Sequence, residues 1–481
     1  MAVPFIGREK EINALNDFLG SGMSEFIVVY GRRRVGKTFL IQHVIGEDYA
    51  YYAAGIHGAT MKEQIKNFVS GLPDKNARPK TWLEAFRNLE QYLEQLPEGR
   101  KIIFIDEIPW MDTQRSKFIY GLEHFWNSWA SWRDDIKLIV CGSATSWIVN
   151  NLINSRGGLH NRVTHQIRLK PFTLRECKLY FAENGFRFSE RQIAECYMVM
   201  GGVPYYLSKM KKSESVAQNV DRLLFDKDGE LHGEFNNLYN SLFKNAGNHM
   251  AVVTALATKG KGLTRQEVLD ETGLPDNGKI KQIFDELENC GFIRCYEPFR
   301  THQNRQRRKW NTTHRFTNSL YQLVDPFTLF YFQIMSRPDA RDDHFWTKNQ
   351  NSHIFSTWSG LSFEMLCLNH EEEIKISLGI SGISCNIFSW IGSNGQNVAQ
   401  IDLLIDRSDN VINLCEMKYS SIPYRMSEKD EISIERKIDA LIQSTHTDKS
   451  IIVTMIAAKG LENNEYSGCI QKQLTLSDLF K

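Results

Sequence analysis

The first 210 residues alternate short apolar runs with longer segments whose apolar residues recur at helical spacing. Three of the apolar runs, at residues 26–30, 101–105 and 137–142, are typical of buried strands in a parallel sheet. The aromatic residues within 118–129 have helical spacing and predict a helix that packs on this sheet. The pattern therefore predicts an α/β domain, a parallel sheet with helices on both faces.

A different pattern begins in the middle of the chain. Apolar residues 250–257 predict one helix, and the capping box at residues 264–267 predicts the start of a second. Asp276 or Asn277 can cap a third helix, and residues 291–294 then have the composition of a strand. Three helices followed by a hairpin form the outline of a winged helix-turn-helix.

Near the C-terminus, two apolar strands flank a polar turn at residues 407–410. If the turn centres near Asp409, facing residues have numbers that sum to about 818, so Asp402 lies opposite Glu416. Lys418 lies on the same face as Glu416, because strand side chains alternate with a period of two. The interpretation depends on this register, since a slip of one residue would separate the two carboxylates.

Composition limits the classes of protein that this chain can belong to. Its 481 residues favour two to four domains, and its 42% hydrophobic and 24% charged residues are ordinary for a globular protein. With a net charge of +1, any affinity for nucleic acid must come from a local patch. Nine scattered cysteines without a Cys-x-x-Cys pair argue against a disulfide framework or a zinc site. We expect a cytoplasmic protein without a signal peptide or a membrane span.

The octapeptide GRRRVGKT at residues 31–38 follows a predicted strand and opens a predicted helix, which is the context of a phosphate-binding P-loop. Its glycines let main-chain N–H groups turn towards phosphates. Lys37 can reach the β- and γ-phosphates, and the Thr38 hydroxyl can hold Mg²⁺. We therefore predict ATP and Mg²⁺ as cofactors. The predicted nucleotide-binding residues are Gly31, Arg32, Arg33, Arg34, Val35, Gly36, Lys37, Thr38, Phe39, Asp106 and Ser143.

The strand at residues 101–105 runs into Asp106 and Glu107, which is the Walker B form. Asp106 would bind in the Mg²⁺ shell, and Glu107 would polarise the attacking water. The strand at 137–142 ends at Ser143, whose hydroxyl can sense the γ-phosphate if the two strands are neighbours. The predicted metal ligands here are Thr38 and Asp106.

The carboxylates of Asp402 and Glu416 form the second candidate chemical site. Facing charges of like sign repel, so the arrangement is best explained by a cation between them, and Mg²⁺ prefers such oxygen ligands. Lys418 can orient a water molecule or stabilise charge on a phosphate. The alternative is an ordinary salt-bridged hairpin on a surface sheet.

A basic segment lies between Glu297 and Asp325, where the sequence holds no acidic residue. A basic hairpin beside a helix-turn-helix is the electrostatic pattern of a DNA phosphate contact. The alternatives are a solvated loop and a winged helix that contacts protein. The basic residues are Arg300, Arg305, Arg307, Arg308, Lys309 and Arg315.

Several motifs together resemble the archaeal-type ATPase family of the AAA+/STAND group of P-loop NTPases. They are FIGREKEINALNDFL at the N-terminus, GRRRVGKT, IIFIDE, VCGSATSW, GGVPYYL at 201–207 and YQLVDPF at 321–327. The resemblance covers nearly the whole chain and implies ATP binding and hydrolysis. Where the family has Gly-Arg, this chain has Asn161-Arg162, so Arg162 is by resemblance a candidate arginine finger or sensor, which could act across the subunit interface of a homo-oligomer. The alternative for Arg162 is a salt-bridged surface arginine.

Asp402 with Glu416-x-Lys418 resembles the PD-(D/E)xK nuclease core. That family adds an acidic residue from a preceding helix, and Glu364 fits this place. Gln400-Ile401 precedes Asp402 here, where the family often has proline. Combining both resemblances, the predicted catalytic residues are Glu107, Arg162, Glu364, Asp402, Glu416 and Lys418.

These patterns predict an α/β, multidomain protein: a P-loop ATPase domain at 1–210, a helical linking region at 211–247, a winged helix-turn-helix at 248–325 and a restriction-endonuclease-like α/β domain at 326–481. The first functional hypothesis is an ATPase whose nucleotide state controls DNA binding and Mg²⁺-dependent DNA cleavage. The second is a nucleotide-switched regulator that binds DNA or protein and whose nuclease-like domain is inactive.

Overall fold

The computed structural model describes residues 5–74, 78–155, 157–243, 245–259, 262–296, 319–393 and 398–481. The chain divides into two compact units, Met1–Pro171 and Phe172–Lys481. The predicted basic segment, from Arg300 to Arg315, lies outside the described residues. The predicted boundaries at residues 210, 247 and 325 stay predictions. Among the described residues, no helix is both long and apolar enough to cross a bilayer.

The first unit is built on a five-stranded sheet in which every neighbouring pair is parallel, in the order β2-β3-β4-β1-β5. The apolar runs of the sequence therefore become buried strands, as predicted, and β3 and β4 are neighbours. The strands are β1 (Glu25–Tyr30), β2 (Tyr51–Ala54), β3 (Lys101–Asp106), β4 (Ile136–Gly142) and β5 (His165–Arg168).

Helices cover both faces of this sheet, which confirms the prediction. Alternate residues of β1 point to opposite faces. Phe26 and Val28 pack in one apolar cluster, while Ile27 and Val29 pack in another. The helices are α1 (Glu9–Gly20), α2 (Lys37–Ile45), α3 (Met61–Ser70), α4 (Trp82–Glu94), α5 (Phe118–Ser128) and α6 (Thr145–Ile148), with short 3-10 turns at Ile108–Trp110 and Ala130–Trp132 and a π turn at Val149–Ile153.

The second unit opens with helices that end in tight glycine turns. Helix α8 stops at Gly201, and Gly201 and Gly202 both have a left-handed backbone, with φ of 66° and 65°. The helices are α7 (Leu174–Glu183), α8 (Glu190–Met200), α9 (Pro204–Leu207), α10 (Val216–Val220) and α11 (Glu234–Leu242), with a π turn at Asp221–Phe225.

The middle of this unit has the elements that the sequence predicts for residues 248–325. Thr264 and Glu267 form the predicted capping box, and Asn277 caps the third helix. The helices are α12 (Ala246–Lys259), α13 (Arg265–Thr272) and α14 (Gly278–Asn289). They contact a small antiparallel sheet of β6 (Leu263–Thr264), β7 (Ile293–Tyr296) and β8 (Leu320–Leu323), in the order β6-β8-β7.

The C-terminal part contains a second five-stranded sheet, in the order β15-β13-β11-β10-β9. Its strands are β9 (Cys385–Ser393), β10 (Val398–Arg407), β11 (Val411–Lys418), β13 (Ser450–Ala457) and β15 (Lys472–Thr475), and a separate parallel pair is formed by β12 (Tyr424–Arg425) and β14 (Leu461–Glu462). The strands from β9 to β11 are antiparallel, whereas β11, β13 and β15 are parallel.

The helices of this part are α15 (Pro326–Phe330), α16 (Phe345–Lys348), α17 (His353–Asn369), α18 (Glu371–Leu378) and α19 (Glu428–Thr445), with a π turn at Tyr331–Met335 and 3-10 turns at Ser467–Cys469 and Leu476–Phe480. Helix α17 contacts β11, and α19 contacts β9 and β10. Glu364 therefore lies on a helix that packs on the sheet, as predicted.

Hydrogen bonds tie α7 and α8 to the C-terminal elements, among them one from the Ser477 hydroxyl to Glu190 at 2.6 Å. The Leu174 N–H donates to His370 Nε2 at 2.9 Å, and burial lowers the pKa of His370 to about 4, which keeps this ring neutral. The Ser362 hydroxyl donates to the Met198 carbonyl at 3.4 Å, and the Tyr419 hydroxyl donates to Glu195 at 3.1 Å. Residues of all these elements share one apolar core.

Gly202→Ala should destabilise the second unit strongly. A Cβ at this position would lie 2.3 Å from the Phe172 carbonyl oxygen, in a backbone conformation that alanine adopts poorly. We expect the free energy of unfolding to fall by at least about 3 kcal/mol, since overlap adds to a left-handed penalty of roughly 1–2 kcal/mol. Urea denaturation measures the change.

Gly291→Ala is the matched control, because Gly291 also has a positive φ of 77° but a Cβ added there would have no atom within 4 Å. Equal losses for the two variants would show that the contact with Phe172 contributes nothing.

Candidate functional site

The phosphate loop starts where β1 ends and closes at the N-terminus of α2. Gly31 has φ of 150°, and a Cβ there would lie 2.1 Å from the Leu169 carbonyl oxygen. Gly36 has φ of 92° and is the cap residue of α2. Glycine is therefore required at Gly31 by close approach, and it is favoured at Gly36 by backbone conformation.

Lys37 is buried at the first position of α2. Its Nζ donates to the carbonyl oxygens of Gly31 and Arg32, both at 3.0 Å. These bonds hold the ammonium group over the loop, where the helix N-terminus also favours negative charge. The other predicted loop residues follow the same turn: Arg32 and Val35 are buried, Arg33, Arg34 and Thr38 are half-buried, and Phe39 is exposed.

Asp106 ends β3 and accepts three hydrogen bonds. Thr38 Oγ1 donates to one carboxylate oxygen at 2.9 Å. The Cys141 thiol, at 2.6 Å, and the Glu107 N–H, at 2.8 Å, donate to the other. Burial, with Asp106 beside it, raises the pKa of Cys141, so the thiol keeps its proton and remains a donor. The adjacent hydroxyl and carboxylate of Thr38 and Asp106 are the oxygen donors that Mg²⁺ prefers.

Cys141 is a site residue that the sequence reasoning missed. It lies on β4, one residue beyond the Ile105–Val140 pair of the β3–β4 ladder. A parallel ladder read from the two apolar runs could have placed it beside Asp106. Cysteine is common in buried strands, however, so its residue type gives no signal of this role.

Glu107 is held by the residue predicted to sense the γ-phosphate. The Ser143 hydroxyl donates to one of its carboxylate oxygens at 2.6 Å, and the Ser143 N–H donates to the other at 3.1 Å. Glu107 itself has φ of 44°, a left-handed conformation that non-glycine residues rarely adopt outside functional sites. The structure thus brings the predicted water-polarising group and the predicted sensor into direct contact.

Ser143→Ala should lower the rate of ATP hydrolysis while leaving ATP affinity near that of the wild type. The change removes one of the two hydrogen bonds that orient Glu107, a loss of roughly 0.5–1.5 kcal/mol, or about two- to tenfold in rate. Steady-state hydrolysis and equilibrium nucleotide binding measure the two quantities. Ser146→Ala, on α6, is the matched control, and an equal effect of both changes would contradict the assignment.

Arg162 is exposed in the turn before β5. Its predicted role as an arginine finger, and the homo-oligomer that this role requires, stay predictions.

Comparison with known proteins supports the nucleotide site. Residues 5–210 match the model of a family described as an ATPase domain predominantly from Archaea. This segment is an archaeal-type ATPase domain. It comprises nearly all of the first unit together with residues 172–210 of the second. The match to this ATPase family confirms the predictions of a P-loop, of ATP binding and of ATPase activity for the domain as a whole.

Over 474 residues the chain is 24% identical to an uncharacterized protein of Methanocaldococcus jannaschii, and the match covers 97% of this chain and 98% of that protein. Among solved structures, it is similar to a Walker-type ATPase of Pyrococcus abyssi, with 18% identity and a TM-score of 0.46, covering 69% of this chain and 96% of that one. It is also similar to the ORC2 protein of Aeropyrum pernix, with 14% identity and a TM-score of 0.32, covering 69% and 95% of the respective chains.

A second cluster lies outside the ATPase domain, on the hairpin of β10 and β11. The ladder pairs Leu403 with Cys415 and Asp406 with Ile412, which is the register predicted from the turn. Extended by one residue, it places Asp402 opposite Glu416. Against β9 the register of β10 shifts between Ile401 and Leu404, so Asp402 lies within a β-bulge. Bulges of this kind often re-aim side chains next to active sites.

Glu364 on α17 belongs to the same cluster. Burial, together with the charges of Asp402 and Glu416, raises the pKa of Glu364 to about 8. The positive charges of Lys418 and Lys437 act in the opposite direction. The structure thus brings the four residues predicted from the nuclease resemblance into electrostatic contact and adds Lys437, which the sequence reasoning missed.

The partners within the cluster are specific. Gln400 Nε2 donates to Asp402 at 2.9 Å, and Lys437 forms a short ion pair with Glu416. Lys418 lies 3.8 Å from Asp430. Among the described residues, no group of three or more His, Cys, Asp or Glu side chains is close enough to form a ready metal site. The predicted ligands are therefore two carboxylates, of which Glu416 is paired with a lysine, and they do not form a complete metal-binding cluster.

Proposed function

We propose that this protein uses ATP, bound with Mg²⁺, to control DNA binding and Mg²⁺-dependent DNA cleavage in the C-terminal part of the chain. The observation that carries the proposal is the pairing register of β10 and β11, which aligns Asp402 with Glu416. Glu364 lies near both carboxylates. Two carboxylates that face each other across a hairpin suit a divalent cation that binds a phosphodiester.

In the ATPase domain, Thr38 and Asp106 would hold Mg²⁺, and the cation would neutralise charge that develops on the phosphates. Lys37 binds the phosphates from the helix N-terminus. Glu107, oriented by Ser143, takes the position of the residue that activates water.

We further propose that residues 248–325 form a winged helix that contacts DNA. Helix α14 exposes Lys279, Lys281 and Gln282 along its first turns, while Ile280, Ile283 and Phe284 hold its other face in the core. Exposed lysines and an amide are the side chains that contact phosphates and base edges in a groove. The basic residues from Arg300 to Arg308 would add a phosphate contact from the hairpin.

A regulator without nuclease activity is the second candidate. The observation that favours it is that the predicted metal ligand Glu416 is paired with Lys437 and that no closed carboxylate cage exists among the residues described. In that case the C-terminal part would serve as a binding platform, and ATP would still control DNA or protein binding.

Purified protein incubated with plasmid and linear DNA separates the two candidates. The reactions contain Mg²⁺ or Mn²⁺, with no nucleotide, with ATP, or with a non-hydrolysable analogue. Cleavage that requires the cation and changes with nucleotide supports the first candidate. Intact DNA in every reaction, with DNA binding that changes with nucleotide, would support the regulator.

A further inference from the structure

The two lysines of the carboxylate cluster are held in different ways. Lys418, the lysine of the nuclease-like motif, lies 3.8 Å from Asp430 and over the ring of Tyr424, with its ammonium 5.5 Å from the ring centre. Lys437, which lies 21 residues from Glu416 along the chain, forms its ion pair with Glu416 itself.

Asp430 is a fixed counter-ion for Lys418. It closes the capping box at the start of α19, where it accepts hydrogen bonds from the Ser427 N–H at 2.9 Å and the Ser427 hydroxyl at 2.7 Å. It also accepts a hydrogen bond from the Tyr424 hydroxyl at 3.0 Å. The charge of Lys418 is therefore compensated by a carboxylate that also stabilises the helix, outside the pair of Asp402 and Glu416.

Lys437 is placed by the packing of α19. Ile434 and Leu441, one turn before and one turn after it, are buried in the core beneath this helix, so the main chain at Lys437 is anchored. The Lys437 and Glu416 side chains are only 18% and 12% exposed. An ion pair this shielded from water is screened less by salt than a surface pair, so Lys437 competes effectively with other cations for Glu416.

We propose that Lys437 supplies the ammonium group of the site. Lys437 pairs with Glu416 until a divalent cation takes its place on that carboxylate, and the displaced Lys437 side chain then faces the phosphate. The second half of this inference, the role of Lys437 in cleavage, rests on the proposed function. The first half, competition between Lys437 and a divalent cation for Glu416, is independent of cleavage. Glu416 accepts the ion pair from Lys437 now and would become a metal ligand, while Lys418 stays with Asp430.

The test measures Mn²⁺ binding to the full chain without nucleotide, with the free ion quantified by electron paramagnetic resonance. Asp402→Asn identifies which part of the signal belongs to this site. Lys437→Met should bind Mn²⁺ at least about tenfold more tightly than the wild type, because a positive charge at contact distance is removed. Lys437→Arg keeps that charge and should bind no more tightly than the wild type.

Arg436→Met is the matched control, since Arg436 is the exposed neighbour on the same helix. It should leave Mn²⁺ affinity unchanged. Circular dichroism and urea denaturation of the full chain check that each variant is folded. Unchanged or weaker Mn²⁺ binding by Lys437→Met would overturn the inference, because the ion pair would then be purely structural. Failure of every variant to bind Mn²⁺ would overturn it as well.

DNA cleavage is measured on the same variants. Lys437→Met should lose cleavage by about a hundredfold, as expected for loss of a charged group at a phosphate, and Lys418→Met should lose less. The opposite ranking would overturn the role of Lys437 at the phosphate. If no variant cleaves DNA, yet Lys437→Met binds Mn²⁺ more tightly, the proposed function fails while the competition for Glu416 stands.

Discussion

Lys37→Ala is expected to reduce ATP hydrolysis by at least about a hundredfold, since it removes a preorganised charge from the reacting phosphates. In the structure the Lys37 ammonium is buried and fixed by the carbonyls of Gly31 and Arg32. Phosphate release from ATP measures the loss, and fluorescence titration with a labelled nucleotide measures the accompanying drop in affinity.

Lys62→Ala on α3 is the matched control, because Lys62 is an exposed lysine of the same unit. Its rate should equal that of the wild type. A Lys37→Ala protein that hydrolyses ATP at the wild-type rate would show that the activity comes from a contaminant or from another site.

Asp402→Asn is expected to abolish DNA cleavage, with a loss of at least about a hundredfold, and to leave ATP hydrolysis unchanged. The amide keeps the size of the side chain and its contact with Gln400 but removes the charge that would bind the cation. Gel analysis of plasmid DNA with Mg²⁺ measures cleavage, and phosphate release from the same samples measures ATP hydrolysis.

Asp409→Asn is the matched control for charge. Asp409 lies in the exposed turn of the same hairpin, where it pairs with Arg407. This variant should cleave DNA like the wild type. Equal cleavage by Asp402→Asn and the wild type would place any nuclease activity elsewhere and would favour the regulator.

The parts of the structure that the sequence predicts well depend on local patterns. The three apolar runs give β1, β3 and β4 of the first sheet, whereas β2 and β5 are not predicted, and the P-loop gives the turn between β1 and α2. The hairpin register is also predictable, because the position of a short polar turn at residues 407–410 fixes which residues of the two strands face each other.

The contacts that the sequence reasoning missed join residues that are far apart in the chain. Cys141 reaches Asp106 across two neighbouring strands, and Lys437 reaches Glu416 from a helix. Periodicity shows which face of an element is buried, but it does not show which element covers that face. The β-bulge at Asp402 is equally invisible, since it arises from the pairing of β10 with β9 and not from a glycine or proline in the sequence.

The hydrogen bonds that join α7 and α8 to His370, Ser362 and Tyr419 bear on how such proteins can be recombined. A gene fusion that transferred residues 326–481 alone would leave these groups, and the apolar core around them, facing water. The smallest segment that could be transferred with this core intact is therefore residues 172–481. A fusion that joined another ATPase domain to this C-terminal part would therefore have to take α7 and α8 from the same protein as the C-terminal part.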